Sequence, residues 1–219
     1  MKIDYGIVKF TDLELQTRDA HKIRGFFGNK YKDNEMMHNH GEKGFIFEYP
    51  KVQYKVIGNT PMIIGLQEGC KTILNVGTME DEMVLDGKSY ETFQKEAKWE
   101  KVEVTSTEDY VEYDFVTPWI ALNQKNIDQY NRASLMEKEN ILKKILIGNI
   151  ISFSKGIGYT VDRQLQVWLD VKEVEVQLKG IAMRGFKGKF KVNFQLPQYV
   201  GIGKSVSRGF GTVSKSRDR

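Results

Sequence analysis

The stretch from Phe186 to Leu196 constrains the fold of this 219-residue chain more than any other. Phe186, Phe190, Val192, Phe194 and Leu196 fall on one face of an extended segment, and Lys187, Lys189, Lys191 and Asn193 fall on the other. Such alternation calls for a sheet with one covered face and one wet face. Three lysines in front of an apolar back offer a surface for a nucleic-acid backbone. Lysine on an exposed strand also deters edge pairing, and the pattern alone leaves both readings open.

The strand stops at Pro197 and gives way to Gly201-Ile202-Gly203-Lys204-Ser205-Val206-Ser207-Arg208-Gly209-Phe210-Gly211, with four glycines and two cations in eleven residues. Consecutive N–H groups in so flexible a backbone can form an anion-binding concavity. Lys204 and Arg208 would add charge, and Ser205 and Ser207 would add hydroxyl donors for phosphate oxygens. Two nucleotide-binding motifs are excluded. A Walker A loop ending at Gly203-Lys204-Ser205 needs an earlier glycine where Gln198 stands. The dinucleotide fingerprint needs its third glycine where Val206 stands. A flexible glycine-rich tail is the plainer alternative. Val206, Phe210 and Val213 are apolar and argue for packing, so the expectation is an ordered phosphate-binding loop.

Charge points the same way. The net charge is only +4, yet from Gly180 to Arg219 there are nine Lys/Arg and one acid, Asp218. A net-acidic body with a basic end suits a polyanion partner on one face, or else a solvated basic tail. Met1-Lys2-Ile3-Asp4-Tyr5 lacks the apolar core of a signal peptide, and no apolar run approaches the ~20 residues of a membrane span. Cys70 is the single cysteine, which rules out an internal disulfide and a cysteine-rich metal site. These features predict a cytoplasmic protein without a membrane anchor.

Periodicity predicts a first strand from Lys2 to Leu13 and a helix from Arg18 to about Phe27 with Thr17 as N-cap. A polar loop follows from Tyr31 to Gly44, then strands over Phe45–Tyr49 and Val52–Ile57, and an apolar run over Pro61–Leu66. A helix from Glu68 to Val76 is expected to close at Gly77. Asp86-Gly87 signals a hairpin, and Trp99–Thr105 alternates as a strand. The first ~105 residues thus follow a β-α-β-β-α-β order, which is ferredoxin-like. Ser106 to Asp109 reads as a boundary. Beyond it come a strand over Tyr110–Val116, a long helix over Asn131–Phe153 ended by Gly156 and Gly158, and strands over Leu165–Val171 and Val174–Leu178. The domains expected are 1–107 and 108–219.

Among the three histidines, His38 and His40 are two residues apart and their side chains point the same way in an extended segment. Imidazoles can accept and supply protons near neutral pH, as RNA cleavage through the 2′-hydroxyl requires. Zinc held with Asp33, Glu35 or Glu42 is a rival, but no recognised ligand spacing is present. Two surface histidines with no chemistry are the bland alternative. His21 lies in the first helix and reads as structural.

The pattern Gly201-x-Gly203-x(5)-Gly209-Phe210-Gly211 resembles the C-terminal glycine-rich loop of the RAMP superfamily, the ferredoxin-like RNA-binding proteins of CRISPR systems. With His38-Asn39-His40, Tyr49-Pro50-x-x-Gln53-Tyr54-Lys55 and Gly148-Asn149 through Ser154-Lys155-Gly156, the whole chain resembles the CRISPR repeat-processing endoribonucleases of the paired-histidine subgroup. The resemblance implies an α+β protein of two tandem ferredoxin-like domains. It also implies metal-independent cutting of precursor CRISPR RNA within repeats, without a cofactor, leaving 2′,3′-cyclic phosphate and 5′-hydroxyl ends. His38 and His40 match the subgroup's histidine position, and the glycine loop with Lys204 and Arg208 would bind the repeat backbone. The subgroup often has tyrosine at the head of an aromatic-x-Tyr-Pro run; here that residue is Phe47, which has no proton to donate, while Tyr49 is retained. Implied partners are the repeat RNA, a second copy of the chain and subunits of a CRISPR effector complex. A non-catalytic RAMP subunit that binds guide RNA is the alternative of a different class.

Overall fold

The computed structural model describes residues 1–38, 40–41, 44–45, 49–178 and 180–216. It forms two compact units. The first comprises Met1–Glu103 with Val206–Gly209, and the second Val104–Ser205 with Phe210–Arg219.

In the first unit, β1 (Lys2–Phe10) leads through a 3-10 turn into α1 (Ala20–Lys30). A short α2 (Glu35–His38) and a two-strand ribbon of β2 (His40–Gly41) and β3 (Gly44–Phe45) follow. Then come β4 (Val52–Ile57), β5 (Thr60–Leu66), α3 (Glu68–Met79), the hairpin β6 (Glu82–Leu85)–β7 (Lys88–Glu91), and β8 (Lys95–Glu103). The main sheet has the order β4-β5-β1-β8 and is antiparallel throughout. That is the ferredoxin-like arrangement. β1 is central, as its apolar residues on both faces require. The core gathers Phe10, Ile23, Phe27, Met37, Tyr54, Ile63 and Ile73.

Several boundaries differ from expectation, each for a local reason. Thr17 opens the 3-10 turn, and Gln16, reciprocally bonded with Asp19, caps it. The polar stretch after α1 contains α2 and the β2–β3 ribbon, and the strand expected over Phe45–Tyr49 falls partly outside the described residues. α3 does not stop at Gly77 but continues to Met79. Gly77 is an interior residue of close packing, because a β-carbon there would lie 3.2–3.3 Å from the Val8 side chain. The Asp86-Gly87 turn has both residues at positive φ (52° and 78°), as a type I′ hairpin demands.

The second unit repeats the strand order. It runs β9 (Thr105–Phe115), α4 (Ile127–Arg132), α5 (Leu135–Gly156), β10 (Val167–Leu178), β11 (Ile181–Gln195) and β12 (Val213–Lys215), with sheet order β10-β11-β9-β12. Residues 106–109, boundary-like by composition, are part of β9. The single helix expected over Asn131–Phe153 is two, because Ser134 caps a new helix reciprocally with Glu137. One unbroken strand, β10, replaces the two expected over 165–178.

Among the described residues of this unit there is no second crossover α-helix, and residues 196–205 and 210–212 stand between β11 and β12 instead. Trp119 organises that segment. It is fully buried, stacks on Phe115 with centroids 5.2 Å apart, and exchanges both backbone hydrogen bonds with Phe186. Its indole N–H donates to Asn149 Oδ1 at 3.1 Å. Ile202 N–H donates to Gly211 O at 2.8 Å, Gly211 N–H donates to Pro118 O at 2.8 Å, and a β-carbon on Gly211 would sit 1.9 Å from Ile202 O. Gly211→Ala combines that clash with φ of +60° and should cost about 2 kcal/mol or more, read as a lowered urea midpoint.

Candidate functional site

Gln53, Tyr54 and Lys55 are consecutive polar side chains of β4, and all three are buried. Each holds a different piece of backbone in the first unit. Gln53 Nε2 donates to Tyr49 Oη at 2.8 Å and to Pro50 O at 3.1 Å. Tyr54 Oη donates to Met37 O at 2.8 Å, and Lys55 Nζ donates to Val206 O at 3.1 Å.

The first two contacts hold the ends of the histidine segment. Met37 is buried in the core, and the carbonyl held by Tyr54 is the one that joins it to His38. Upstream, Tyr31 stacks on Phe27, which stacks on Tyr54, with centroids 6.2 and 5.9 Å apart. The Tyr31 hydroxyl bonds to Glu80, which also pairs with Lys30 at 2.5 Å, and burial with that carboxylate pushes the Tyr31 phenol up to about 12. His38 ends α2 and His40 opens β2, paired with Phe45. The side chains of His38 and His40, and all of Phe47, lie outside the described residues. His21 is exposed, its Nδ1 2.7 Å from Arg18 O.

A cationic pair lies on the same unit. The 206–209 turn packs on α1 and β4, and a β-carbon on Gly209 would fall 2.7 Å from Ala20 Cβ. Arg24 is one helical turn beyond Ala20 on that face of α1. It is half-buried; burial first, then the charge of Arg208, lowers its pKa, while the Arg24 charge acts on Tyr54. No carboxylate among the described residues pairs with Arg208. Two guanidinium groups within electrostatic reach of each other gain most from an anion between them. The sequence reading missed Arg24, and only its i+4 spacing from Ala20 could have signalled it.

The glycine-rich segment carries less of an anion site than its composition suggests. The N–H groups of Ile202, Lys204, Gly209 and Gly211 donate to Gly211 O, Ile120 O, Val206 O and Pro118 O. Gly203 is needed because a β-carbon there would lie 2.6 Å from the Trp119 indole nitrogen. These glycines admit close packing, and those four N–H groups are not available to line a concavity. Gly201 forms a bridge with Thr212. Lys204 is exposed, with its pKa lowered by partial burial; Ser205 and Ser207 are half-buried.

On β11, Lys187, Lys189 and Lys191 do share the wet face, but two of them are paired. Lys189 Nζ lies 3.1 Å from Glu112 and 3.8 Å from Asp114, and Lys191 Nζ lies 3.3 Å from Glu112. Hydrogen bonds from Lys189 and Lys191 hold the Glu112 carboxyl below its usual range.

The twice-repeated strand order defines the class: a tandem ferredoxin-like protein of the RAMP type. Residues 1–103 match the Cas6b N-terminal domain and residues 104–216 the Cas6b C-terminal domain, so the chain belongs to the Cas6b family. A crystal structure of Cas6b is similar at TM-score 0.95 and 38% identity, over 99% of this chain and 100% of that one. A crystal structure of the CRISPR RNA processing endoribonuclease Cas6b matches at TM-score 0.82 and 35% identity, with coverage of 99% and 100%. An uncharacterized protein of Methanocaldococcus jannaschii is 42% identical over 133 residues, which span 60% of this chain and 90% of that protein. No helix among the described residues is long and apolar enough to cross a membrane.

Burial, with no carboxylate partner among the described residues, pulls Lys55 down to about 7. Between about 7 and the ordinary 10.5 the unfolded chain therefore binds more protons at this residue than the folded chain, so stability at this site rises with pH. The difference in urea stability between wild type and Lys55→Met should shift in favour of wild type from pH 7 to pH 9.5. A pH-independent difference would contradict the burial effect.

Proposed function

We propose that this chain is an endoribonuclease that cuts precursor CRISPR RNA within its repeats. Family membership over nearly the whole length carries the reading, and the backbone clamps around the histidine segment support it. One of His38 and His40 accepts the 2′-hydroxyl proton while O2′ attacks the adjacent phosphorus. The P–O5′ bond breaks, and the other histidine protonates the departing O5′. The products are a 2′,3′-cyclic phosphate and a 5′-hydroxyl, and the chemistry is metal-independent. Arg24 and Arg208 stabilise the charge that grows on the phosphoryl oxygens. The backbone of the repeat is bound by Lys187, Lys189 and Lys191 together with Lys204, Ser205 and Ser207, and Gly201, Gly203, Gly209 and Gly211 shape the loop that carries the last three. Tyr49 is bonded to Gln53 and supports the segment from its far end. The protein works in the cytoplasm, with a second copy of itself and effector-complex subunits as further partners.

The test is incubation of purified protein with labelled repeat RNA in excess EDTA. A single cut, blocked by 2′-deoxy substitution at the scissile nucleotide, is expected. His38→Ala with His40→Ala should slow it by about 10²–10⁴-fold while RNA binding persists. Cutting by that double variant at the wild-type rate would overturn the histidine assignment. Tight binding by wild type without any cut would favour the non-catalytic guide-RNA subunit. Arg24→Ala should lower single-turnover cleavage at saturating RNA by about 10²-fold.

A further inference from the structure

The wet face of the second unit's sheet carries aromatic rings where a nucleic-acid backbone surface would need only charge. Trp168 on β10 is 47% exposed and lies directly opposite Lys191, whose Nζ is 5.8 Å from the indole ring centroid. Glu112, opposite Lys191 on β9, fixes that lysine at 3.3 Å. Tyr110 on β9 is 51% exposed, and its hydroxyl donates to Gln166 Oε1 at 2.6 Å. Gln166 is held in turn, its N–H donating to Asn193 Oδ1 at 2.7 Å, while Asn193 Nδ2 donates to Gln164 O at 3.1 Å. The Gln166 carboxamide N–H₂ has no partner among the described residues. Two exposed rings therefore flank a fixed amide donor.

Charge on this face is arranged for bases more than for a duplex. Asp170, Lys189 and Asp114 form one cross-strand row, and Lys191 with Glu112 forms part of the next, so positive charge there is offset. One row further, Lys172 faces Lys187, and neither has a carboxylate partner among the described residues. An indole face stacks any base, a carboxamide bonds a base edge, and a lysine pair attracts a backbone phosphate.

We propose that this face is a binding site for unpaired RNA. One base stacks on Trp168, its edge is bonded by Gln166, and the backbone runs towards Lys172 and Lys187. The site rests on the RNA-processing reading and adds to it the substrate feature recognised, an unpaired nucleotide.

The experiment measures equilibrium binding of the full chain to two labelled RNAs, an unstructured 12-nucleotide strand and a blunt duplex of the same length, at fixed salt. Trp168→Ala should weaken the single strand by about five- to hundred-fold and leave the duplex within about two-fold. Trp168→Phe should recover most of the affinity, which separates stacking from loss of fold. Trp99→Ala, which removes a ring 61% exposed on β8, should change neither affinity. RNA-induced quenching of tryptophan fluorescence should be lost in Trp168→Phe and kept in Trp99→Phe. Unchanged single-strand affinity in Trp168→Ala, or equal weakening of strand and duplex, would overturn the site. The two readings fail separately. A double-histidine variant that still cuts leaves the binding result standing, and an unaffected Trp168→Ala leaves the cleavage result standing.

Discussion

The approach of Ile202 O to Gly211, closer than any β-carbon would allow, underlies the architecture of the second unit. A ferredoxin-like unit ordinarily returns its fourth strand through a helix. Here β12 is returned by a segment with no α-helix and one 3-10 turn, Val206–Arg208, so most of its polar backbone must be satisfied by other bonds. Tight pairing of 202 with 211, and docking onto the backbone of Pro118 and Ile120, meets that requirement. Trp119 makes the docking surface, and its buried indole N–H is satisfied by Asn149 on α5. The glycines are where other backbone or an indole occupies the place of a side chain.

In the first unit the corresponding constraint is β4, which buries three polar side chains in a row. Such burial is tolerated because each finds a backbone carbonyl or a hydroxyl. The same bonds fix backbone at both ends of the histidine segment. Tyr54 and Gln53 hold the backbone that leads into and out of the histidine segment, and Lys55 holds the turn that carries Arg208.

The lysines of β11 show how neighbours redirect a sequence signal. Alternation alone makes them a uniform basic stripe. Cross-strand pairing with Glu112 and Asp114 turns most of the stripe into a mixed-charge surface and leaves the opposed Lys172 and Lys187 as an end without a carboxylate partner among the described residues. Pairs of this kind on an exposed sheet contribute little stability, so their consequence is the shape of the local field.

Much of the fold was legible in the sequence. Alternating residues in Phe186–Leu196, the apolar faces of β1 and the Asp86-Gly87 turn each report a local rule, since side-chain direction and turn torsions depend on immediate neighbours. His38, His40, Lys204 and Arg208 are proposed for their roles on the chemistry carried in the residue itself. Other features were settled by partners distant in sequence. Continuation of α3 through Gly77 depends on Val8, the use of Gly203 depends on Trp119, and the place of Arg24 depends on Gly209 and Arg208. Whether a glycine ends a helix or admits a neighbour, and whether a lysine faces phosphate or a carboxylate, is decided by what packs against it, and only the tertiary structure supplies that.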